Sequence, residues 1–290
     1  MFTREIADRL FKAALIADSH ALGLHWIYDT DLLDREPLDL NRLHAPMSHW
    51  HGIRQAGEQT HYGDQLVHLV EYCRQHPRIE QEHYQRAWAS FMQHYTGYQD
   101  KATVTTLERL EHGRAPAASS STELSAVIRM IAPLTLAKDR DDYLDQVTAA
   151  VSATHDSELT IQTAHYFARV LIDVLSGRDL IRSLERHLDQ LPPELQTLAT
   201  EGLASAGEDT RHTLRRFGIA CDTRHGLPGI LHLVARFTSL EPLMKENVLA
   251  GGDSSARGMV AAVLLTAADP DQPERLPAHL LPCILVSKTP

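Results

Sequence analysis

Asn247-Val-Leu-Ala-Gly251-Gly252-Asp253-Ser254-Ser255-Ala-Arg257-Gly258-Met-Val-Ala-Ala-Val-Leu-Leu265 is the stretch on which the reading of this chain turns. It reads as an extended approach, a glycine pair, one carboxylate, two hydroxyls and then a long apolar helix. A glycine pair lets the backbone turn sharply and approach a ligand closely. The residues that follow form a helix start, where unpaired N–H groups and the positive end of the dipole collect. A carboxylate or hydroxyl there caps the helix, holds a metal or lines an anion site. Taken alone, Asp253 or Ser254 is explained by capping; other segments of the chain add weight to a functional role.

The 290 residues are 43% hydrophobic and 23% charged, with a net charge of −10. Such a charge argues against nucleic acid or an anionic membrane as the main partner. Cys73, Cys221 and Cys283 are far apart and lack CxxC spacing. They form neither a disulfide framework nor a thiolate zinc site, which points to a reducing cytoplasm. The N-terminus has no basic region leading into an apolar one, and no apolar run reaches the ~18 residues that span a membrane. A soluble, cytoplasmic protein is expected.

Helical periodicity dominates. Ile6, Leu10, Ala13, Ala14, Ala17, Ala21 and Leu24 define one buried face, and Leu66, Leu69, Val70 and Cys73 another. Further helices are predicted over residues 81–95, 123–137, 141–152, 157–176, 179–188, 226–237 and 253–267. Turn signals separate them at 113–116, Ser176-Gly177, Pro192-Pro193, Gly202 to Gly207 and 269–273. One short strand candidate is Cys283-Ile-Leu-Val-Ser. With no linker and no internal repeat, the expectation is an all-α fold in one domain spanning residues 1–290.

Four more segments carry polar residues where apolar ones are expected. Ala17-Asp18-Ser-His20-Ala-Leu-Gly23-Leu-His25 puts an acid and histidines in an apolar helix, which is costly unless they are paired. If that helix continues through Gly23, Asp18 and His25 share a face. Thr60-His61-Tyr62-Gly63-Asp64 is a glycine-containing polar turn feeding a helix, with Asp64 in its first turn. Arg129, inside an apolar run, needs a carboxylate, a carbonyl or a ligand. Thr154-His155-Asp156-Ser157 opens another long helix, and an ordinary cap explains it as well as function does.

In their order and character these segments resemble the ADP-ribosylglycohydrolase family. The likeness runs through Ala17-Asp18 to Gly23, Thr60 to Gln65, Ser125 to Pro133 with Arg129, Thr154-His155, and Gly251-Gly252-Asp253-Ser-Ser-Ala256. Phe217 to Cys221 and Pro228 to Leu233 add to it. Residues 24–29 and the Ser-Ser-Ala-Arg form of the last motif look most like the branch holding the J1-crystallins and selenoprotein J. The resemblance implies an all-α orthogonal helical bundle, a nucleotide or nucleotide-sugar ligand, and two magnesium ions held by Thr-Asp-Asp-Thr and Gly-Gly-Asp-Thr-Asp-Thr motifs. In the first motif Tyr62 and Gly63 stand for the two aspartates, with Asp64 one position on. In the last, Ser255 replaces an aspartate and Ala256 a threonine, and a Gly-Asn-Gly that lines the ribose pocket reads Glu123-Leu124-Ser125.

Two function classes follow. One is a glycosidase acting on ADP-ribose or a related linkage. In it Asp64 and Asp253 act as catalytic groups or as ligands of one weakly held magnesium ion, while His61, His155, Ser254, Ser255 and Arg257 bind substrate. The other is a catalytically silent ligand-binding or crystallin-like protein with no metal. If the protein keeps a ligand cleft, the helix start after Gly252, with Arg257 one turn on, is expected to attract phosphate weakly, Asp253 opposing an anion unless a cation or histidinium offsets it; a purely structural protein would not bind one.

Overall fold

The structure, a computed structural model, describes residues 2–35 and 38–286. In chain order its helices are α1 (Arg4–Leu22), α2 (Thr30–Arg35), α3 (His61–Gln75), α4 (Gln81–Gln93), α5 (Lys101–Glu111), α6 (Arg140–Ser152) and α7 (Glu158–Leu175). After these come α8 (Leu180–Arg186), α9 (Pro193–Ala204), α10 (Thr210–Phe217), α11 (Thr223–Arg236), α12 (Leu240–Leu249), α13 (Ser254–Ala268) and α14 (Cys283–Val286). Among the described residues there is no sheet, and the fold is all-α. Three isolated bridges, Ile27 with Gly252, Ser119 with His155 and Glu123 with Asp222, tie loops together. No described helix is long and apolar enough to cross a membrane.

The most extensive helix–helix contact is α1 against α13. From Ser254 to Ala267 every residue of α13 is buried, as expected of a helix that is apolar on all sides. Small residues on the facing surfaces, such as Gly258 against Ala17, let the two axes approach. Around this pair lie α11 and α12, with α9 outside α11, and α7 and α6 on another flank.

Several sequence expectations change. The approach to Gly251 is not extended but is the end of α12. Cys283–Val286 is a helical turn, not a strand, and Ser287 lies outside the described residues. Helix α1 stops at Leu22, with Gly23 as its cap, so Asp18 and His25 are not carried on one helix. Gly202 sits inside α9, and the turn there is Ser205–Gly207. Residues Leu124–Thr135 form a 3-10 helix rather than an α-helix. Such runs are usually short, but Leu124 to Leu134 is buried throughout. Three residues per turn suits a segment enclosed on all its faces, and Pro133 withholds one N–H from an α-helical ladder.

Candidate functional site

The glycine turn before α13 is sewn to its neighbours. Gly251 and Gly252 have φ of +86° and +65°, in the left-handed region that glycine enters at no steric cost. The Gly252 N–H donates to Ile27 O at 2.8 Å, and the Trp26 N–H to Gly252 O at 2.9 Å. The following N–H groups are also committed. Asp253 N donates to Ile219 O and Ser254 N to Gly252 O, both at 2.8 Å. Ser255 N donates to His25 Nδ1 and Ala256 N to Asp253 Oδ1, both at 3.4 Å. The backbone N–H groups of the helix start are therefore committed, contrary to the sequence expectation of a phosphate site built on them, and the Ser254 hydroxyl is the donor left without a partner. The tight turn and the cap that made it look like an anion site consume those N–H groups.

Arg257 is fully buried and points back along the turn. Its Nε donates to Asn247 Oδ1 at 2.8 Å, and Nη2 to Asn247 O at 3.1 Å and Gly251 O at 3.0 Å. It thus satisfies carbonyls at the C-terminal end of α12, where a cation is also favoured by the dipole. Burial lowers its pKa to about 10, Asp253 opposing the shift, so it stays charged at neutral pH.

Asp18 joins three elements. Its carboxylate accepts from Thr60 N at 2.8 Å, Thr60 Oγ1 at 2.6 Å and Ser255 Oγ at 2.5 Å, linking α1 to the starts of α3 and α13. Burial raises its pKa to about 6, with the Ser255 and Thr60 bonds pulling the other way. Ser255 is thereby committed to Asp18, and Gly63 backs onto the same carboxylate. Asp18→Ala leaves these buried donors without an acceptor, at about 1–3 kcal/mol for each orphaned group. A loss of at least about 3 kcal/mol in urea unfolding is expected, and a loss under about 1 kcal/mol would deny Asp18 this joining role.

Turning away from Gly63, the first turn of α3 presents His61 and Tyr62. Their rings lie 6.5 Å and 5.5 Å from that of His25. They enter a cluster centred on Trp26, whose ring lies 4.6 Å from His25, 5.4 Å from His51, 5.3 Å from His61 and 5.1 Å from Tyr98. Trp26 is the one described non-glycine residue with positive φ, at +62°, a strained conformation of the sort that gathers at functional sites. Burial and the neighbouring imidazoles hold His25 well below its usual pKa and His51 at about 3, so both rings are neutral. Asp253 moves the other way, to about 7. Burial drives that shift, Arg257 and the Ala256 N–H oppose it, and Glu123 adds to it. Its Oδ1 lies 3.7 Å from His25 Nδ1.

Two acid–imidazole pairs flank the cluster. His61 Nε2 is 3.2 Å from Asp100 Oδ2. Burial pushes Asp100 upward, but His61, His155 and the Thr103 N–H outweigh it and hold the carboxyl below the usual range. His155 Nε2 is 3.6 Å from Glu123 Oε2, while its Nδ1 meets Thr154 Oγ1 at 2.8 Å. Arg129 supports this pair from behind, donating to Thr154 Oγ1, Ala150 O and Gln65 Oε1. It has the carbonyl and side-chain partners its position demands. A cavity of about 10 Å³ between Tyr62, Asp100, Ser125, Arg129 and His155 has about the room of one water.

Asp64, close enough to His61 and Asp18 for their charges to act on one another, has partners of its own. It forms an ion pair with Arg54 and accepts from Tyr95 OH at 2.7 Å, and no described partner links it to Asp253. The structure thus gathers His61, His155, Asp253 and Ser254 near one another, commits Ser255 and Arg257 to internal bonds, and ties Asp64 to Arg54. Sequence reasoning missed His51, Tyr98 and Asp100. The glycine-bounded His49-Trp50-His51-Gly52 was a local signal for the first, whereas Tyr98 and Asp100 arrive through tertiary packing.

An all-α bundle with its polar cluster at the starts of α3, α7 and α13 defines the class. The family model for ADP-ribosylglycohydrolase matches residues 10–281, and the chain belongs to that family. A solved structure described as an ADP-ribosylglycohydrolase-related protein complex matches with a TM-score of 0.74 and 18% identity, over 96% of this chain and 92% of that one. That likeness concerns the fold. No curated protein matches the chain.

Proposed function

We propose that this member of the family binds a ribosyl nucleotide at the Asp253–Glu123–His155 cluster and does not carry out two-magnesium hydrolysis. One observation carries the reading. Tyr62 OH, Glu123 Oε2, His155 Nε2, Asp253 Oδ2 and Ser254 Oγ are buried with no hydrogen-bond partner in the structure. Folded proteins rarely leave such atoms unmade, and donors and acceptors in this mixture suit the hydroxyls of a sugar. Beside them Trp50, 42% exposed, packs edge-on to Tyr98 at 5.5 Å, giving a rim on which a base can stack.

The donor set fits a pair of magnesium ions poorly. Magnesium seeks octahedral oxygen ligation, with carboxylates supplying charge. The α3 turn supplies an imidazole and a phenol whose proton burial holds on, Ser255 is taken by Asp18, and Asp253 has a raised pKa. The proposal therefore leaves at most one weak magnesium site, resting on Asp253. A metal-independent glycosidase is the second reading, favoured by the Glu123–His155 pair, which has the form of a base and its orienting partner.

ADP-ribose at about 100 times its Kd gives roughly 2.7 kcal/mol of stabilisation, a rise of several degrees in Tm at about 2 °C per kcal/mol. The rise is expected with or without magnesium, and Asp253→Ala should abolish it. ADP-ribosyl-arginine, ADP-ribosyl-serine and O-acetyl-ADP-ribose should turn over far below the roughly 1 s⁻¹ of an ordinary enzyme. Magnesium-dependent turnover at that rate overturns the proposal, and no Tm shift with ADP-ribose, AMP or ribose 5-phosphate leaves the structural, crystallin-like reading.

A further inference from the structure

We infer a second ligand site, remote in sequence from the first and sharing no residue with it: an arginine-lined groove at α8 that takes a small polyphosphate. Arg178, Arg182 and Arg186 recur every four residues and, with Gly177, Asp179 and Ser183, line a concavity of about 440 Å³. That volume lies within the range of small-molecule pockets, roughly 300–1,000 Å³.

Three guanidiniums share the lining with one carboxylate, Asp179, which caps α8 by accepting the Arg182 N–H at 2.9 Å. Asp173 is buried and shared by three groups: Arg178 Nε at 3.7 Å, Arg186 Nε at 3.6 Å and His187 Nε2 at 3.0 Å. One carboxylate thus orients two guanidiniums and an imidazole along the wall. Among the described residues no carboxylate pairs with Arg140, Arg169 or Arg182. Arg169 lies one turn before Asp173 on α7 and is partly buried. Burial lowers its pKa, and the neighbouring charge acting on it is another cation, Arg140. Arg140 acts on His187 as Arg186 does, which sets Arg140 near the groove wall.

Guanidiniums gathered around one groove repel one another, and an anion seated among them relieves that repulsion. In a chain of net charge −10, such a patch is not a product of bulk composition. Arginine forks bind phosphate oxygens in pairs, and several forks across one groove match several phosphates. The same net charge disfavours a long polyanion such as nucleic acid, which leaves a compact ligand with two or three linked phosphates.

Calorimetric titration at low salt with inorganic phosphate, pyrophosphate and tripolyphosphate tests this. Affinity is expected to rise in that order. Arg182→Glu should weaken tripolyphosphate at least about tenfold, the loss expected from one charge-assisted hydrogen bond. Arg182 is exposed and unpaired, so its variant keeps the wild-type Tm. The control Arg35→Glu, on α2, changes the same surface charge elsewhere and should leave affinity within about twofold. No binding of tripolyphosphate by the wild type, or an equal loss in the control, overturns the site. Because Arg182 lies outside the Asp253 cluster, Arg182→Glu should also leave the Tm shift with AMP intact, and the two sites succeed or fail separately.

Discussion

Gly252→Ala is expected to lower the melting temperature by roughly 10 °C or to abolish soluble folding. A Cβ at this position overlaps the Ile219 carbonyl oxygen and crowds the Ile219 Cβ at 2.6 Å. That carbonyl accepts the Asp253 N–H, so it cannot retreat without breaking the bond that seats the start of α13. A positive φ alone costs an L-residue about 1–2 kcal/mol, and the collision brings the total above about 4 kcal/mol, in the range reserved for severe lesions. At roughly 2–4 °C per kcal/mol the drop is large. Gly113→Ala separates the two terms, because Gly113 has φ of +60° and nothing near its Cβ position. It should lose only the conformational part. Equal losses in the two variants would mean that the Ile219 contact has no weight.

Asp253→Asn should be nearly neutral near pH 4 and stabilising near pH 8. The folded-state pKa of Asp253, about 7, lies above the unfolded value of about 3.9. Between those values the folded chain holds a proton that the unfolded chain has lost, so stability falls as pH rises through this window. Asparagine imitates the protonated acid, keeps the cap on Ala256 and does not titrate. The advantage of the variant should grow by about 2–4 kcal/mol from pH 4 to pH 8. His25 and His51, held neutral in the fold, give the opposite slope at low pH. They are present in both proteins and drop out of the difference. Urea unfolding of the pair at three pH values checks this, and a difference independent of pH removes the titration of Asp253 from the account.

Much of the helical frame was legible because α1, α3, α7 and α13 show apolar periodicity with capping residues in place: Thr3, Thr60, Ser157 and Asp253. The family was legible because glycine, aspartate and arginine at turns keep their order along the chain. The site was read less well. Asp64 looks like Asp253 in sequence, a carboxylate in the first turn of a helix, yet Arg54 and Tyr95 occupy it. Nothing near Asp64 announces Arg54, since their pairing depends on how the loop before α3 folds back. The N–H groups at α13 looked free because their acceptors, Ile219 O and His25 Nδ1, come from distant loops. The 3-10 segment was missed because its apolar run fits either helix until its enclosure on all faces is known.

The hydrogen bond from Ser255 to Asp18 spans 237 residues, and the same two helices make the most extensive contact of the fold. On a ribosome, α1 is complete long before α13 exists. Its alanine-rich face must wait, unsatisfied, while nearly all of the intervening chain is made. Contacts of such sequence separation form late and slow the search for the native state. The polar cluster needs both ends of the polypeptide, and nascent chains halted before Gly251 lack Asp253 and the partner of Asp18, Ser255.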